Sequence, residues 1–222
     1  MSIHFSVKNL IDLQEEVNKK INDLKIYNYK PNIIAVSKTF PIEKIKPLID
    51  YGHIHFGENK VQEAVEKWTG IKEKNPKINL HMIGKLQSNK VKFAVKIFDY
   101  IHSVDSIKLV KKIAEEQTKL NKKLKIFIQV NLNNEDQKSG ISKDLVDDLY
   151  ESCVEYNLDV LGLMCLPPID KPPGEFFLML KRKKDELKLT SLSMGMSNDY
   201  LEAIVHNSNF LRIGSKIFGS RD

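Results

Sequence analysis

The sequence predicts an α/β fold: a closed (β/α)8 TIM barrel with an extra N-terminal helix, forming a single domain over residues 1–222. Three observations predict it. Short apolar runs alternate with amphipathic helical patterns, the runs number eight, and 222 residues are enough for one large core with no linker or internal repeat to divide them. Strict alternation requires parallel strands joined by right-handed crossovers, in an open doubly wound sheet or a closed barrel. Eight runs favour closure, and the Gly-x-Gly-x-x-Gly fingerprint of a dinucleotide-binding sheet is missing after the first of them.

The opening helix, 6–24, shows Val7, Leu10, Ile11, Val17, Ile21 and Leu24 at helical spacing with charges between them. The apolar runs that follow fall at 33–37, 54–56, 80–84, 100–104, 126–130, 160–166, 191–194 and 210–213. Between them, 42–51, 60–68, 89–97, 106–120, 143–156, 176–187 and 199–206 carry the spacing of helices with one apolar face. The irregular stretch Pro167 to Gly174 holds four of the eight prolines and reads as a stiff loop after the sixth strand, a plain connection in the first instance and the shaper of a site entrance in the second.

Composition excludes several classes. Hydrophobic content of 41% with 29% charged residues is that of a globular domain. The net charge of +6 invites a nucleic-acid reading, but the densest basic run, Lys181-Arg182-Lys183-Lys184, is followed at once by Asp185 and Glu186 and reads as a solvated helix face, so no nucleic-acid partner is expected. Cys153 and Cys165 form no Cys-x-x-Cys pair, which fits a reduced, cytoplasmic setting. Charges interrupt every apolar stretch near the N-terminus, and the run from Val160 to Leu166 is far short of a membrane span, so neither export nor a membrane partner is expected. The even spread of Lys and Glu points to a monomer.

Chemistry concentrates at the predicted strand ends. Lys38 stands where the first strand surfaces, in Ala35-Val36-Ser37-Lys38-Thr39; an amine held there can be tuned toward a carbonyl. The last two strands end in Ser193-Met194-Gly195-Met196-Ser197-Asn198 and Arg212-Ile213-Gly214-Ser215. Barrels of this kind commonly bind a phosphate on these loops, and both carry glycines for close backbone approach and hydroxyls that donate. A helix is expected after Ser197, over 199–206, its free amides and dipole favouring an anion. Closure sets the seventh strand two spacings, roughly 10 Å, from the first, the span of a small phosphorylated aromatic aldehyde. Arg212 falls between. Always protonated and unable to accept, it would keep a facing pyridine nitrogen unprotonated and help lower the lysine pKa.

No metal is expected. His53 and His55 should share a strand face, near Glu58, and His81 and His102 open the next two strands, but no His-Glu-x-x-His, Cys/His pair or acidic cluster completes a ligand set. No Gly-x-Ser-x-Gly elbow or thiol signature is present.

The segments AVSKTFP, HFGENKVQE, LHMIGKLQSNK, HSVDS, QVNLNNEDQKSGI, GLMCLPP, LSMGMSNDY and RIGSKIFGSRD, spread over nearly the whole chain, resemble the pyridoxal phosphate homeostasis proteins of YggS type. The resemblance implies a monomeric barrel similar to the N-terminal domain of bacterial alanine racemase, with pyridoxal 5′-phosphate held as an aldimine. Carried over position by position, Lys38 forms the Schiff base. Ser197, Gly214 and Ser215 hold the phosphate, Arg212 faces the pyridine nitrogen, and Asn59 lies near the ring; Met196 and Met164, apolar residues at strand ends, fit either the pocket lining or the core. Ser215 stands where the family usually has threonine, Leu80 where it has tryptophan, and the loop around 172–175 is short. None of these departures removes a cofactor contact.

The resemblance implies a carrier and regulator in vitamin B6 and amino-acid homeostasis, without robust catalysis of its own, whose partners include pyridoxal-phosphate-dependent apoenzymes. The alternatives are a weak amino-acid racemase and a cofactor-free, lysine-dependent aldolase barrel. A racemase needs acid/base groups on both faces of its carbanion. In the alanine racemases the second comes from a further C-terminal domain, expected to be absent because the chain closes at Asp222. A weak electron sink also disfavours chemistry that needs a protonated ring, and a cofactor-free aldolase gives no account of Arg212.

Overall fold

The computed structural model describes residues 3–133 and 139–219. Along them run α1 (Phe5–Asp23), β1 (Asn32–Val36), α2 (Ile42–Asp50), β2 (His55–Glu58), α3 (Val61–Lys74), β3 (Asn79–Met82), α4 (Val91–Ile97), β4 (Tyr100–Val104), α5 (Ile107–Leu120), β5 (Lys125–Asn131), β6 (Ile141–Ser142), α6 (Val146–Glu155), β7 (Asp159–Cys165), α7 (Pro173–Glu186), β8 (Ser191–Met196), α8 (Tyr200–Val205), β9 (Phe210–Ile213) and α9 (Ser215–Phe218). The strands neighbour one another in the order β4-β3-β2-β1-β9-β8-β7-β5, and pairing of β4 with β5 closes the ring. All the pairings are parallel, as βα alternation demands. The barrel therefore has eight strands; the two-residue β6 is an addition paired to the end of β5.

Alternation along each strand builds two cores. Outward side chains such as Ala35, Phe56, Leu80, Ile101, Leu211 and Ile213 join the helices in one large apolar layer. Inward ones make a smaller cluster of Ile34, Phe127, Met164 and Phe210 that fills the barrel, with Tyr100 and Leu161 at its edge. Of the two places open to Met164, pocket lining and core, it takes the core: inward parity on β7 sets it among these side chains, fully buried.

α1 buries Val7, Leu10, Leu13, Val17 and Ile21. It is tied to the far end of the chain: Asn9 Nδ2 donates to the Ile217 carbonyl at 3.1 Å, and Glu16 pairs with Lys216 at 2.8 Å and accepts from the Tyr200 hydroxyl. α7 begins at Pro173, three residues before its expected start, because a proline at the first helical position has its φ preset and needs no N–H partner. Asn121 ends α5 in the left-handed conformation that asparagine tolerates. The four-residue α9 is too short to show a helical period and was not expected.

Candidate functional site

At the carboxyl ends of the strands opens a cavity of about 760 Å³. Lys38, Asn59, Met196, Ser197, Arg212, Gly214 and Ser215 all line it, so the folding chain brings together all seven predicted site residues.

Lys38 sits just past β1, half-buried, in a turn closed by the Phe40 amide donating to the Ser37 carbonyl at 3.2 Å. Thr39, the next residue, has φ +67°, a conformation that costs a β-branched side chain about 1–2 kcal/mol. The turn is held from both sides. Ser37 Oγ donates to Glu58 Oε1 at 2.7 Å, Lys67 Nζ donates to the Ser37 carbonyl at 3.0 Å, and the Thr39 amide donates to Glu63 Oε1 at 2.7 Å. Lys67 Nζ also bonds both carboxylates at 3.0 Å, and Trp68 Nε1 donates to the same Glu58 oxygen at 3.0 Å. Sequence reading missed this clamp.

Arg212 lies one strand over, level with Ile34 of β1 on one side and Met196 of β8 on the other. Its side chain is inward and only 4% exposed. Nη1 donates to Ser193 Oγ at 2.7 Å and Nη2 to the Cys165 carbonyl at 2.9 Å. Neither partner is charged. Burial pushes its pKa down from the usual arginine value, yet a guanidinium stays protonated.

The two turns meet. The Gly214 amide donates to Ser197 Oγ at 3.4 Å. Gly195, at φ +92°, forms the bulge where β8 leaves its register with β9, and a Cβ there would fall 2.6 Å from the Ala203 Cβ. The helix expected over 199–206 follows Ser197 with a start one residue later. Asp199 closes the turn, its side chain accepting from the Met196 amide, and α8 starts at Tyr200. The nearer helix start is that of α9, at Ser215.

Pro167, Pro168, Ile169, Lys171 and Pro173 form one wall of the cavity. The proline stretch is therefore part of the site and not a plain connection. Asn59 is held from behind by Gly84, where a Cβ would come within 2.4 Å of the Asn59 carbonyl oxygen. Cys153 and Cys165 are unbridged and buried, and burial raises both thiols to about 12, which leaves them inert as nucleophiles.

His53 and His55 do not share a face. His53 lies ahead of β2 and packs edge-on to the outward Phe56, whereas His55 turns into the barrel against His81 and Phe210. Among the described residues no group of His, Cys, Asp and Glu is arranged to hold a metal. What the sequence did show, without its meaning being drawn, is one inward histidine on each of β2, β3 and β4.

The family model described as "Alanine racemase, N-terminal domain" matches residues 15–222. The pyridoxal phosphate homeostasis protein of Pasteurella multocida is 35% identical over 226 residues, covering 97% of each chain. That of Escherichia coli is 35% identical over 205 residues, 86% of each. Among solved structures, PipY of Synechococcus elongatus with PLP bound superposes with a TM-score of 0.76 at 32% identity, covering 91% of this chain and all of PipY. Alanine racemase of Clostridium difficile, at 16% identity and a TM-score of 0.69, covers 95% of this chain and 57% of the racemase and shares the fold alone. With the match running nearly end to end in both partners, this chain belongs to the pyridoxal phosphate homeostasis protein family.

Proposed function

We propose that this chain binds pyridoxal 5′-phosphate in the cavity and acts in the cytoplasm, as a monomer, in vitamin B6 and amino-acid homeostasis. In this reading it carries the cofactor for pyridoxal-phosphate-dependent apoenzymes and catalyses no robust reaction of its own. The observation that carries the reading is Arg212. A buried cation costs several kcal/mol unless acceptors satisfy it, and Arg212 commits two of its five N–H donors, to Ser193 and Cys165. A heteroaromatic nitrogen at the cavity floor fits what remains.

The other residues complete the fit. Ser197, Gly214 and Ser215, on two touching turns, offer hydroxyls and amides to a phosphate, and Met196 and Asn59 flank the ring between. Lys38, on the first strand end, would hold the aldehyde through its amine. When bound, the cofactor supplies an electron sink, and Arg212, unable to give up its proton, keeps that sink weak. That favours holding the aldehyde over turning over amino acids.

An absorbance scan with pyridoxal phosphate, then borohydride reduction and peptide mass mapping, tests this on wild type and Lys38→Ala. A visible band that reduces onto the peptide containing Lys38, and disappears in the variant, is expected. A wild type that shows neither band nor adduct overturns the reading.

A further inference from the structure

Beneath Arg212, three histidines and a serine run through the barrel as one hydrogen-bonded file. Arg212 Nη1 lies 2.7 Å from Ser193 Oγ, which lies 2.8 Å from His102 Nδ1. His102 Nε2 is 2.9 Å from His81 Nδ1, and His81 Nε2 is 3.0 Å from His55 Nδ1. The file crosses five strands, from β9 through β8 and over the interior to β4, β3 and β2. Ser193, His102 and His81 are fully buried.

Its direction follows from donor chemistry. Arg212 can only donate, so Ser193 Oγ accepts from it. The serine hydrogen then needs an acceptor, and His102 Nδ1 is the one the buried surroundings offer; an O–H left unpaired there would cost roughly 1–3 kcal/mol. An accepting Nδ1 makes His102 the Nε2–H tautomer, which donates to His81 Nδ1. The same step repeats to His55, so every bond points away from Arg212. Chains aligned head to tail polarise one another and strengthen.

All three rings are held neutral. Burial lowers the pKa of each, His81 and His102 well below the ordinary value, and the Arg212 charge adds to the effect on His102. Aromatic packing fixes the ring planes. Phe127 stacks on His102 at 4.4 Å and 14°, Tyr100 on His81 at 4.2 Å and 19°, and Phe210 stands between, 5.9 Å and 5.7 Å from the two.

We propose that this file is a polarised relay that orients Arg212. By taking the serine hydrogen, His102 keeps the lone pairs of Ser193 Oγ turned toward Nη1, which aims the guanidinium at the cavity floor. His102 and Ser193 are thus positioning residues: neither lines the cavity, and both act on the ligand through Arg212. The ligand part of this inference rests on the pyridoxal phosphate reading above; the tautomer part does not.

The test begins with long-range proton–nitrogen correlation NMR on the ligand-free protein. His55, His81 and His102 are expected as neutral Nε2–H tautomers. In Arg212→Met, or in Ser193→Ala should the first not fold, nothing imposes the direction, and Nδ1–H signals are expected among the three. A wild type with any of them in the Nδ1–H form, or a folded variant that keeps the wild-type pattern, overturns the relay whatever the protein binds. Pyridoxal phosphate titration supplies the second arm. His102→Phe keeps the stack on Phe127 and removes the acceptor, so affinity should fall roughly tenfold, the worth of one hydrogen bond to a charged group, whereas His102→Asn, which can still accept from Ser193, should restore most of it. Equal affinity in His102→Phe and wild type overturns the positioning role. Absence of binding in the wild type, with the tautomers as expected, sinks the pyridoxal phosphate reading and leaves the relay standing.

Discussion

Thr39 holds a left-handed φ beside Lys38 because the Ser37–Thr39 turn is fastened on both flanks to α3 and β2. The fastening depends on Lys67, whose side chain is 9% exposed, and on Glu58, whose side chain is fully buried and whose Oε2 lacks a hydrogen-bond partner. Removing Lys67 would strand that carboxylate. Lys67→Met should therefore destabilise the protein by about 3–5 kcal/mol, and the double variant Lys67→Met/Glu58→Gln should recover part of the loss. Urea denaturation of the single and double variants checks this, and a loss below about 1 kcal/mol for Lys67→Met would mean that the pair behaves as a surface one. Lys38 and Arg212 of the cavity were legible in sequence because strand ends mark them: Lys38 follows an apolar run, and Arg212 interrupts one just before a glycine. Their supports were not. Glu63 and Lys67 share one face of α3 at i,i+4 spacing, but Glu58 comes from β2, and no periodicity announces that the three converge with the carbonyl and amide of the Ser37–Thr39 turn.

The two glycine turns look alike in sequence but do different work. At Gly195 a Cβ would collide with Ala203 on α8 and the φ is positive, whereas at Gly214 the closest approach would be an ordinary 3.6 Å to Val36. Gly195→Ala should thus lower stability by roughly 2–4 kcal/mol, the sum of left-handed strain and overpacking. Gly214→Ala should stay within about 1 kcal/mol of wild type and, on the proposed function, retain less pyridoxal phosphate, since the added methyl would crowd the backbone offered to the phosphate. Thermal melts with and without the cofactor separate the two effects, and equal melts for both variants would contradict the distinction. The alternating pattern gave all eight barrel strands within a few residues, because each strand is buried under the helices and reads as a largely apolar run, interrupted by inward polar positions such as His81, His102 and Arg212. It could not give α9, a single turn, nor show that the prolines after β7 wall the cavity, since a rigid loop has no period that says where it folds.

Across the whole molecule, the buried histidines couple stability to pH. Burial holds His53, His55, His81 and His102 below the ordinary 6.5, His53 at about 4. Below 6.5 the unfolded chain takes up protons that the folded one refuses, so acid favours unfolding. This stability is complete above about pH 6.5 and is lost progressively as pH falls toward 4. Glu16 and Glu63, whose carboxyls are lowered, respond only beneath their ordinary 4.5. Urea midpoints should therefore drop between about pH 7 and about pH 5, in the histidine range alone; a flat profile there would show that these rings titrate as solvent-exposed imidazoles. The barrel is also sealed by its own extremities. β1 pairs with β9, and Asn9 of α1 bonds Ile217 of α9 across 208 positions. At about 5–20 residues per second, a ribosome that has released α1 needs roughly 10–40 seconds more to deliver its partner. For that interval the stripe of Val7, Leu10, Leu13, Val17 and Ile21 has α2 to rest on but lacks the part of its native surface that α8 and α9 supply, and the nascent chain presents the uncovered part to whatever binds exposed apolar segments during synthesis.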